Sequence, residues 1–453
     1  MASPGPAISY TSYDGAQLVR YPWAGRQVAI LTESNALDIP RMTTLLDALD
    51  RAFDVYVSIT GREPPVFYSF LNKAEGVSYI VGGRSGDTLT APSDASPVFG
   101  FSGDDELRGT GVRDLLFGDD DADRLSGFAG RDQLIGGRGD DVLAGGAHDD
   151  RIDGGLGRDT ATFAGIFHQS AMTLNAGVVT ITGADGQDTV TGVELFRFAD
   201  SVFVIDPNST GAQVQRLYAA VLDRAADPPG LENWLDRLHD DGWTINQVAD
   251  FFLGSPEFQA SGANVAGNDT FVDFLYIQVL GRAADAAGRA DWISRIDAGL
   301  ARSDALLFFS ESNEHRAQTA SVTGGGYFET DEAYQTVALL YDSFADRKPD
   351  AAGLIGWAEA LKSGGMTPGQ VAAGFAASDE FRARTEGLDR GQLVDFMYRN
   401  TLDREADAPG RAHWVAQLDG GLSTGDMLLY FATSTEHQFL YSAHITGGID
   451  VLG

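Results

Sequence analysis

Aspartate returns every ninth residue along one stretch of this chain, at Asp105, Asp114, Asp123, Asp132, Asp141, Asp150 and Asp159, with Asp87 in the same phase upstream. Serine stands at the one break, Ser96. Two places beyond each comes an apolar residue: Leu89, Val98, Leu107, Leu116, Leu125, Leu134, Leu143, Ile152 and Ala161. Glycine opens eight of the nine nonapeptides that run without insertion from Gly82 to Thr162. A unit this short cannot bury a core alone, so its apolar residue must stack on copies above and below. The aspartates then stack too, and carboxylates a few ångströms apart repel one another unless a cation sits among them. Carboxylates and turn carbonyls at a fixed rise are the oxygen donors that a hard cation takes, six to eight at a time.

The nonapeptide "GGRGDDVLA" (136–144) resembles the GGxGxDxUx repeat of RTX, or hemolysin-type, calcium-binding proteins. The resemblance implies a parallel β-roll in which each glycine- and aspartate-rich turn holds calcium against the turn two repeats further on. It implies as ligands the carboxylates of Asp87, Asp105, Asp114, Asp123, Asp132, Asp141, Asp150 and Asp159, with turn positions at Gly100, Gly118, Gly136, Gly139, Gly154 and Gly157. A flexible linker has no reason to keep an aliphatic residue in phase. Units 91–99 ("APSDASPVF") and 109–117 ("GTGVRDLLF") depart from the pattern, which weakens the sites they form. Consecutive units send their turns to opposite edges. One edge carries Asp87, Asp105, Asp123, Asp141 and Asp159, and the other Ser96, Asp114, Asp132 and Asp150. With Ser96 lacking a carboxylate and Val112 replacing a turn glycine, the first edge is expected to hold more calcium, more tightly. Metal binding and folding of the roll should be one event.

The 453 residues include 65 acidic and 32 basic ones, a formal charge of −33 and a pI near 4.3. Such a surface repels nucleic acid and suits a protein that works where calcium is plentiful. There is no cysteine, hence no disulfide framework. The start, "MASPGPAISYTSYDGAQLVR", lacks the basic and apolar run of a secretory signal peptide, and no apolar stretch is long enough to span a bilayer. The RTX resemblance implies instead export by a type I exporter that reads an uncleaved C-terminal signal, for which "HITGGIDVLG" is the candidate. Low cytosolic calcium would keep the roll unfolded for threading, and external calcium would fold it.

After the roll, 178–205 is dense in β-branched residues and reads as antiparallel strands capping the solenoid. Beyond Asp206 a different repeat begins. "DPPGLENW", "DAAGRADW", "DAAGLIGW" and "DAPGRAHW" start at Asp227, Asp285, Asp350 and Asp407, each following an Arg- or Lys-containing loop and each followed by "SPEF", "SNEH", "SDEF" or "STEH". The aspartate reads as a helix N-cap, and the glycine four residues before tryptophan as room for its ring. Thr244 with Gln247 and Thr367 with Gln370 read as capping boxes, and Ser255 before Pro256 as another helix start. Each unit should be three or four helices. These units resemble DUF4214, a helical repeat that accompanies RTX segments in secreted bacterial proteins. Trp234, Trp292, Trp357 and Trp414 read as core rather than as sugar platforms, and the recurring Asp and Glu as caps rather than catalysts.

Within residues 1–80, "RQVAIL" reads as a strand and "IPRMTTLLDALDRAFDVYVSITG" as an amphipathic helix, loosely resembling the opening of a secreted RTX peptidase module. No histidine is followed by glutamate, so HExxH is absent, as are GxSxG, a P-loop and a cysteine nucleophile. His148, at a turn place usually held by glycine, reads as a turn substitution.

The expected fold is multidomain α+β. An α/β segment (1–80) precedes the roll (81–162), a β cap (163–206) and two helical-repeat pairs (207–320 and 321–453), the second ending in the candidate secretion signal. The expected function is non-enzymatic: a secreted, calcium-folded roll whose helical repeats attach to a cell-surface polysaccharide or surface protein. The alternative is a secreted hydrolase or peptidase relic with a truncated N-terminal module.

Overall fold

The computed structural model describes residues 8–11, 17–20, 80–93, 97–175, 177–239, 241–260, 266–445 and 447–452. The strand and helix expected between residues 26 and 61, and Ser96, lie outside them. Near the start, β1 (Ile8–Thr11) and β2 (Gln17–Arg20) pair antiparallel. The chain divides into two units, 1–165 with 169–198, and 166–168 with 199–453.

In the first unit the nonapeptides become strands that alternate between two parallel sheets. One sheet takes β3 (Ile80–Val81), β5 (Val98–Ser102), β7 (Leu115–Asp120), β9 (Gln133–Arg138) and β11 (Arg151–Leu156). The other takes β4 (Thr88–Thr90), β6 (Glu106–Arg108), β8 (Arg124–Ser126), β10 (Val142–Ala144) and β12 (Thr160–Thr162). The register makes two apolar columns. Leu89, Leu107, Leu125, Leu143 and Ala161 face one another in turn, as do Val98, Leu116, Leu134 and Ile152. Every one of them is buried, each large side chain being worth roughly 1.5–3 kcal/mol once out of water. The sheets are unequal. Strands β7, β9 and β11 are six residues long and β6, β8 and β10 three, and the longer set adds a stack of Phe99 on Phe117, ring centres 4.7 Å apart, above Ile135.

The cap departs from the antiparallel expectation. Strands β13 (Ala171–Asn175), β14 (Val178–Gly183) and β15 (Gly186–Thr191) do pair antiparallel in sequence. But β15 also lies parallel on β11, with Val190 facing Ile152, and β16 (Leu195–Arg197) lies parallel on β12, with Phe196 facing Ala161. The roll therefore continues beyond Thr162 after a looped-out hairpin. The reason is local: Asp188 with Val190, and Glu194 with Phe196, repeat the acid-x-apolar spacing of the nonapeptides.

The second unit opens on β17 (Ser201–Val204), which pairs antiparallel with β18 (Tyr327–Thr330), a strand within a region expected to be wholly helical. Aromatic packing explains it, since the Phe328 ring packs tilted against Phe167 and Phe203, with centres 4.6 and 4.8 Å apart. Among the described residues, the rest is four four-helix repeats. The first comprises α1 (Thr210–Leu222), α2 (Pro228–His239), α3 (Ile245–Gly254) and α4 (Pro256–Ala260). The second comprises α5 (Asn268–Phe274, continued as a π-turn over Leu275–Val279), α6 (Ala286–Asp297), α7 (Arg302–Ser310) and α8 (Asn313–Gln318), followed by the single turn α9 (Ala320–Thr323). The third comprises α10 (Glu332–Ala345), α11 (Ala351–Lys362), α12 (Pro368–Ala376) and α13 (Asp379–Thr385). The fourth comprises α14 (Arg390–Leu402), α15 (Ala408–Asp419), α16 (Thr424–Ala432) and α17 (Thr435–Tyr441).

Both capping boxes form, and Asp227, Asp285, Asp350 and Asp407 each accept the backbone N–H of the glycine three residues on, at 2.8–2.9 Å. Two expectations need correction. The glycine before each tryptophan leaves room for a tyrosine rather than for the indole. A Cβ on Gly230, Gly288, Gly353 or Gly410 would strike the hydroxyl of Tyr218, Tyr276, Tyr341 or Tyr398. The glutamate of the second motif is no cap. Arg224 grips Glu257, Arg282 grips Glu314, Arg347 grips Glu380 and Arg404 grips Glu436, each through two nitrogens at 2.6–3.1 Å, while the guanidinium lies over the same tyrosine. The cap is the preceding serine. Trp234 and Trp292 are buried, and Trp357 and Trp414 are half-buried against the apolar core of the third and fourth repeats, in line with the core reading.

Candidate metal centre

Each turn of the roll runs from the opening glycine to the aspartate at the sixth place, which is buried immediately before the next strand begins. On the first edge the backbone N–H of Asp87 donates to Asp105 Oδ1, that of Asp105 to Asp123, that of Asp123 to Asp141 and that of Asp141 to Asp159, at 2.7–2.9 Å. On the second edge Asp114 donates to Asp132 and Asp132 to Asp150, both at 2.7 Å. The eighteen-residue spacing of these bonds is the alternation of edges expected from the sequence.

Only one carboxylate oxygen is used in this way. The Oδ2 atoms of Asp105, Asp123, Asp132, Asp141, Asp150 and Asp159 are buried and accept no hydrogen bond. Each lies in the mouth of its own turn. A Cβ on Gly100, Gly118, Gly136 or Gly154 would collide with the Asp105, Asp123, Asp141 or Asp159 carboxylate, and with the carbonyl oxygen of the glycine opening the next turn on that side. Anything larger than glycine would fill the cradle. Gly139 and Gly157, at the fourth place, hold φ of 124° and 150°, a conformation that L side chains rarely adopt. His148 holds the same place at φ 86°.

Burial makes these carboxyls reluctant to ionise, and neighbouring carboxylates add to the effect. Asp123 and Asp150 are pushed up to about 8, Asp105 and Asp141 to about 7, and Asp132 and Asp159 to about 6. Asp114 is raised by burial too, but its turn differs. Thr110 donates both its backbone N–H, at 2.6 Å, and its hydroxyl, at 3.1 Å, to Asp114 Oδ2.

Orphaned carboxylate oxygens in a glycine-walled cradle of carbonyls fit a hard divalent cation, which would restore the charged form and supply the missing partner. Among the described residues no three His, Asp or Glu side chains gather at one point. The ladder offers carboxylates along an edge, so turn carbonyls such as those of Gly118, Gly136 and Gly154 must complete any coordination shell.

Two residues of the ladder went unread in the sequence. Asp150 donates its N–H to Asp188 Oδ1 at 2.8 Å, and Asp159 to Glu194 Oε2 at 2.9 Å, so the cap supplies the last rung on each edge. Asp188 is buried and pushed up to about 6, chiefly by burial.

Comparisons with known proteins agree with this geometry. The model of the RTX calcium-binding nonapeptide repeat matches residues 99–134 and 126–161. That of the domain of unknown function DUF4214 matches 207–261, 249–319, 327–385 and 377–441, half of the chain in all. No curated protein matches. Among solved structures, the extracellular lipase LipA from Serratia marcescens is similar over 25% of this chain and 17% of its own length, at 17% identity and a TM-score of 0.14. The chain thus spans about a sixth of that lipase. Four DUF4214 copies following a roll whose cradles have the RTX form place this chain in the DUF4214 family, as a member that carries RTX calcium-binding repeats.

Proposed function

We propose that this is a secreted, non-enzymatic protein whose roll is folded by calcium outside the cell and whose helical repeats attach it to a cell-surface polysaccharide or another surface protein. The observation that carries the calcium part is the set of six buried Oδ2 atoms, each without a hydrogen-bond donor and each facing its own glycine-walled turn. Calcium supplies charge and oxygen coordination there; the chain's own residues fix where it sits. The attachment part rests on the repeated helical architecture, and the export part on the logic that a roll unable to close without calcium stays threadable where calcium is scarce.

Titrating calcium into the full-length chain while following circular dichroism should add β signal. Protein collected outside producing cells should stay on them with calcium, leave with chelator, and turn over neither peptide nor glycan panels. Absence of any calcium response, or turnover, overturns this reading.

The export signal needs a separate test. Ile449 is buried and donates its N–H to Asp200 at 2.9 Å, while Asp450 meets His168, His444 and Lys348 at 2.6–2.8 Å. Truncation of the tail would therefore damage the fold as well as the signal. Fusing the last 50 or so residues to an unrelated carrier avoids this, and a carrier that remains inside cells possessing the exporter would rule out a signal in the tail.

A further inference from the structure

We infer that a calcium site lies outside the nonapeptides matched by the RTX model, between the turn Gly145–Asp150 and a detached turn, Gly183–Asp188, that returns to the roll after the β13–β14 hairpin. This rests on the calcium reading above and extends it to residues that the family match, ending at position 161, does not reach.

The returning segment keeps the nonapeptide spacing, although Gly183 here ends β14 and pairs with Gly186 across a two-residue hairpin. Gly183, Gly186, Asp188 and Val190 stand at the first, fourth, sixth and eighth places, as Gly145, His148, Asp150 and Ile152 do in the turn beside it. It docks as a successive turn of the roll docks. The N–H of Asp150 donates to Asp188 Oδ1 at 2.8 Å, that of Thr189 to the Asp150 carbonyl at 2.9 Å, that of Gln187 to Asp149 Oδ1 at 3.1 Å, and that of His148 to the Asp185 carbonyl. Gly186 has φ 135°, and a Cβ there would strike the His148 backbone, so the two turns are as close as successive turns within the repeat run. A separate observation points to a ligand: Asp150 is 3% exposed, yet its Oδ2 accepts nothing and lies in the mouth of its turn.

The first edge ends differently, and the contrast sharpens the assignment. Gly192 takes the opening place after Gly154, but only Val193 separates it from Glu194, whose longer side chain reaches the Asp159 N–H at 2.9 Å. That shortened turn lacks the middle carbonyls of a six-residue turn. Glu194 closes the ladder beside the Gly192 carbonyl but on a three-residue turn, whereas Asp188 adds its carboxylate on a segment that keeps the nonapeptide spacing. The site would staple the hairpin to the roll, so calcium would order residues well beyond the end of the repeat run at Thr162.

The test is calcium stoichiometry by calorimetry on the full-length protein and on Asp188→Asn and Glu194→Gln. Asparagine keeps the oxygen that accepts the Asp150 N–H and removes the charge. Asp188→Asn should bind one ion fewer than the parent, and Glu194→Gln the same number. Equal stoichiometry for Asp188→Asn and the parent, or an equal loss in Glu194→Gln, overturns the inference while leaving the repeat sites standing. A parent that binds no calcium defeats the broader reading instead. Should Asp188→Asn not fold, hydrogen exchange on the parent decides. Calcium should slow the amides of 183–191 together with those of 145–150, and slowing confined to 99–161 would overturn the site.

Discussion

The carboxyls of the roll make a quantitative statement about pH. Asp105, Asp123, Asp141 and Asp150 sit at about 7 to 8 because burial penalises their charged form. The unfolded chain releases the same protons at about 4. Between those values the metal-free folded roll keeps protons that the unfolded chain gives up, so its stability falls as pH rises from about 4 to about 8. Calcium needs the ionised groups, so its affinity runs the other way, on the order of tenfold per pH unit below 7, with protons released on binding. Calorimetry at pH 6.5 in two buffers of different ionisation enthalpy should show that release, and heats independent of buffer would contradict it.

The two edges should also differ. Asp123→Asn with Asp141→Asn removes ligands from three adjacent gaps of a full ladder. Asp114→Asn with Asp132→Asn acts on an edge where Thr110 already occupies one carboxylate oxygen. The first pair should cost more bound calcium. Equal losses, or larger losses from the second pair, would reverse the ranking.

The elements show what could be read in advance and what could not. The aspartates, their buried columns and the alternation of edges were legible because nine residues of uniform phase map directly onto a strand and a turn. Asp188 was not, because a looped-out hairpin breaks the phase and the β-branched residues around it suggest an ordinary meander. Within "GADGQDTVT" the glycine and aspartate spacing was intact and would have been found by restarting the ruler at Gly183. The helical repeats were legible as units with caps and tryptophan cores. The Arg–Glu grip was not, since its partners lie 32 or 33 residues apart, although the constancy of that interval across four copies was available. Because these helices rest on caps, apolar cores and that grip, helical circular dichroism of residues 199–453 should persist in excess chelator. A coil spectrum that becomes helical only with calcium would refute this. Gly353→Ala should destabilise the third repeat by about 1–3 kcal/mol, since the Tyr341 hydroxyl occupies the new methyl's place. Urea unfolding measures it, and an unchanged midpoint would show that Tyr341 yields freely.

At the scale of the molecule, a formal charge of −33 means that each bound calcium relieves repulsion well beyond its own turn, so monovalent salt should ease the folding of the metal-free chain. No helix among the described residues is long and apolar enough to cross a membrane. The inequality of the two sheets reaches further. Removing 118–135, a full eighteen residues, returns each downstream strand to the sheet it came from. Removing only 127–135 sends every downstream strand to the other sheet, setting a three-residue strand against the Phe99–Phe117 stack and a six-residue strand where three residues belong. The longer deletion should therefore leave the calcium-loaded roll the more stable of the two in thermal unfolding, and the reverse order would show the sheets to be interchangeable. The same parity governs how such a gene can lengthen or shorten: duplication by a single repeat is a frameshift in space though not in code, and repeat number can drift freely only in twos.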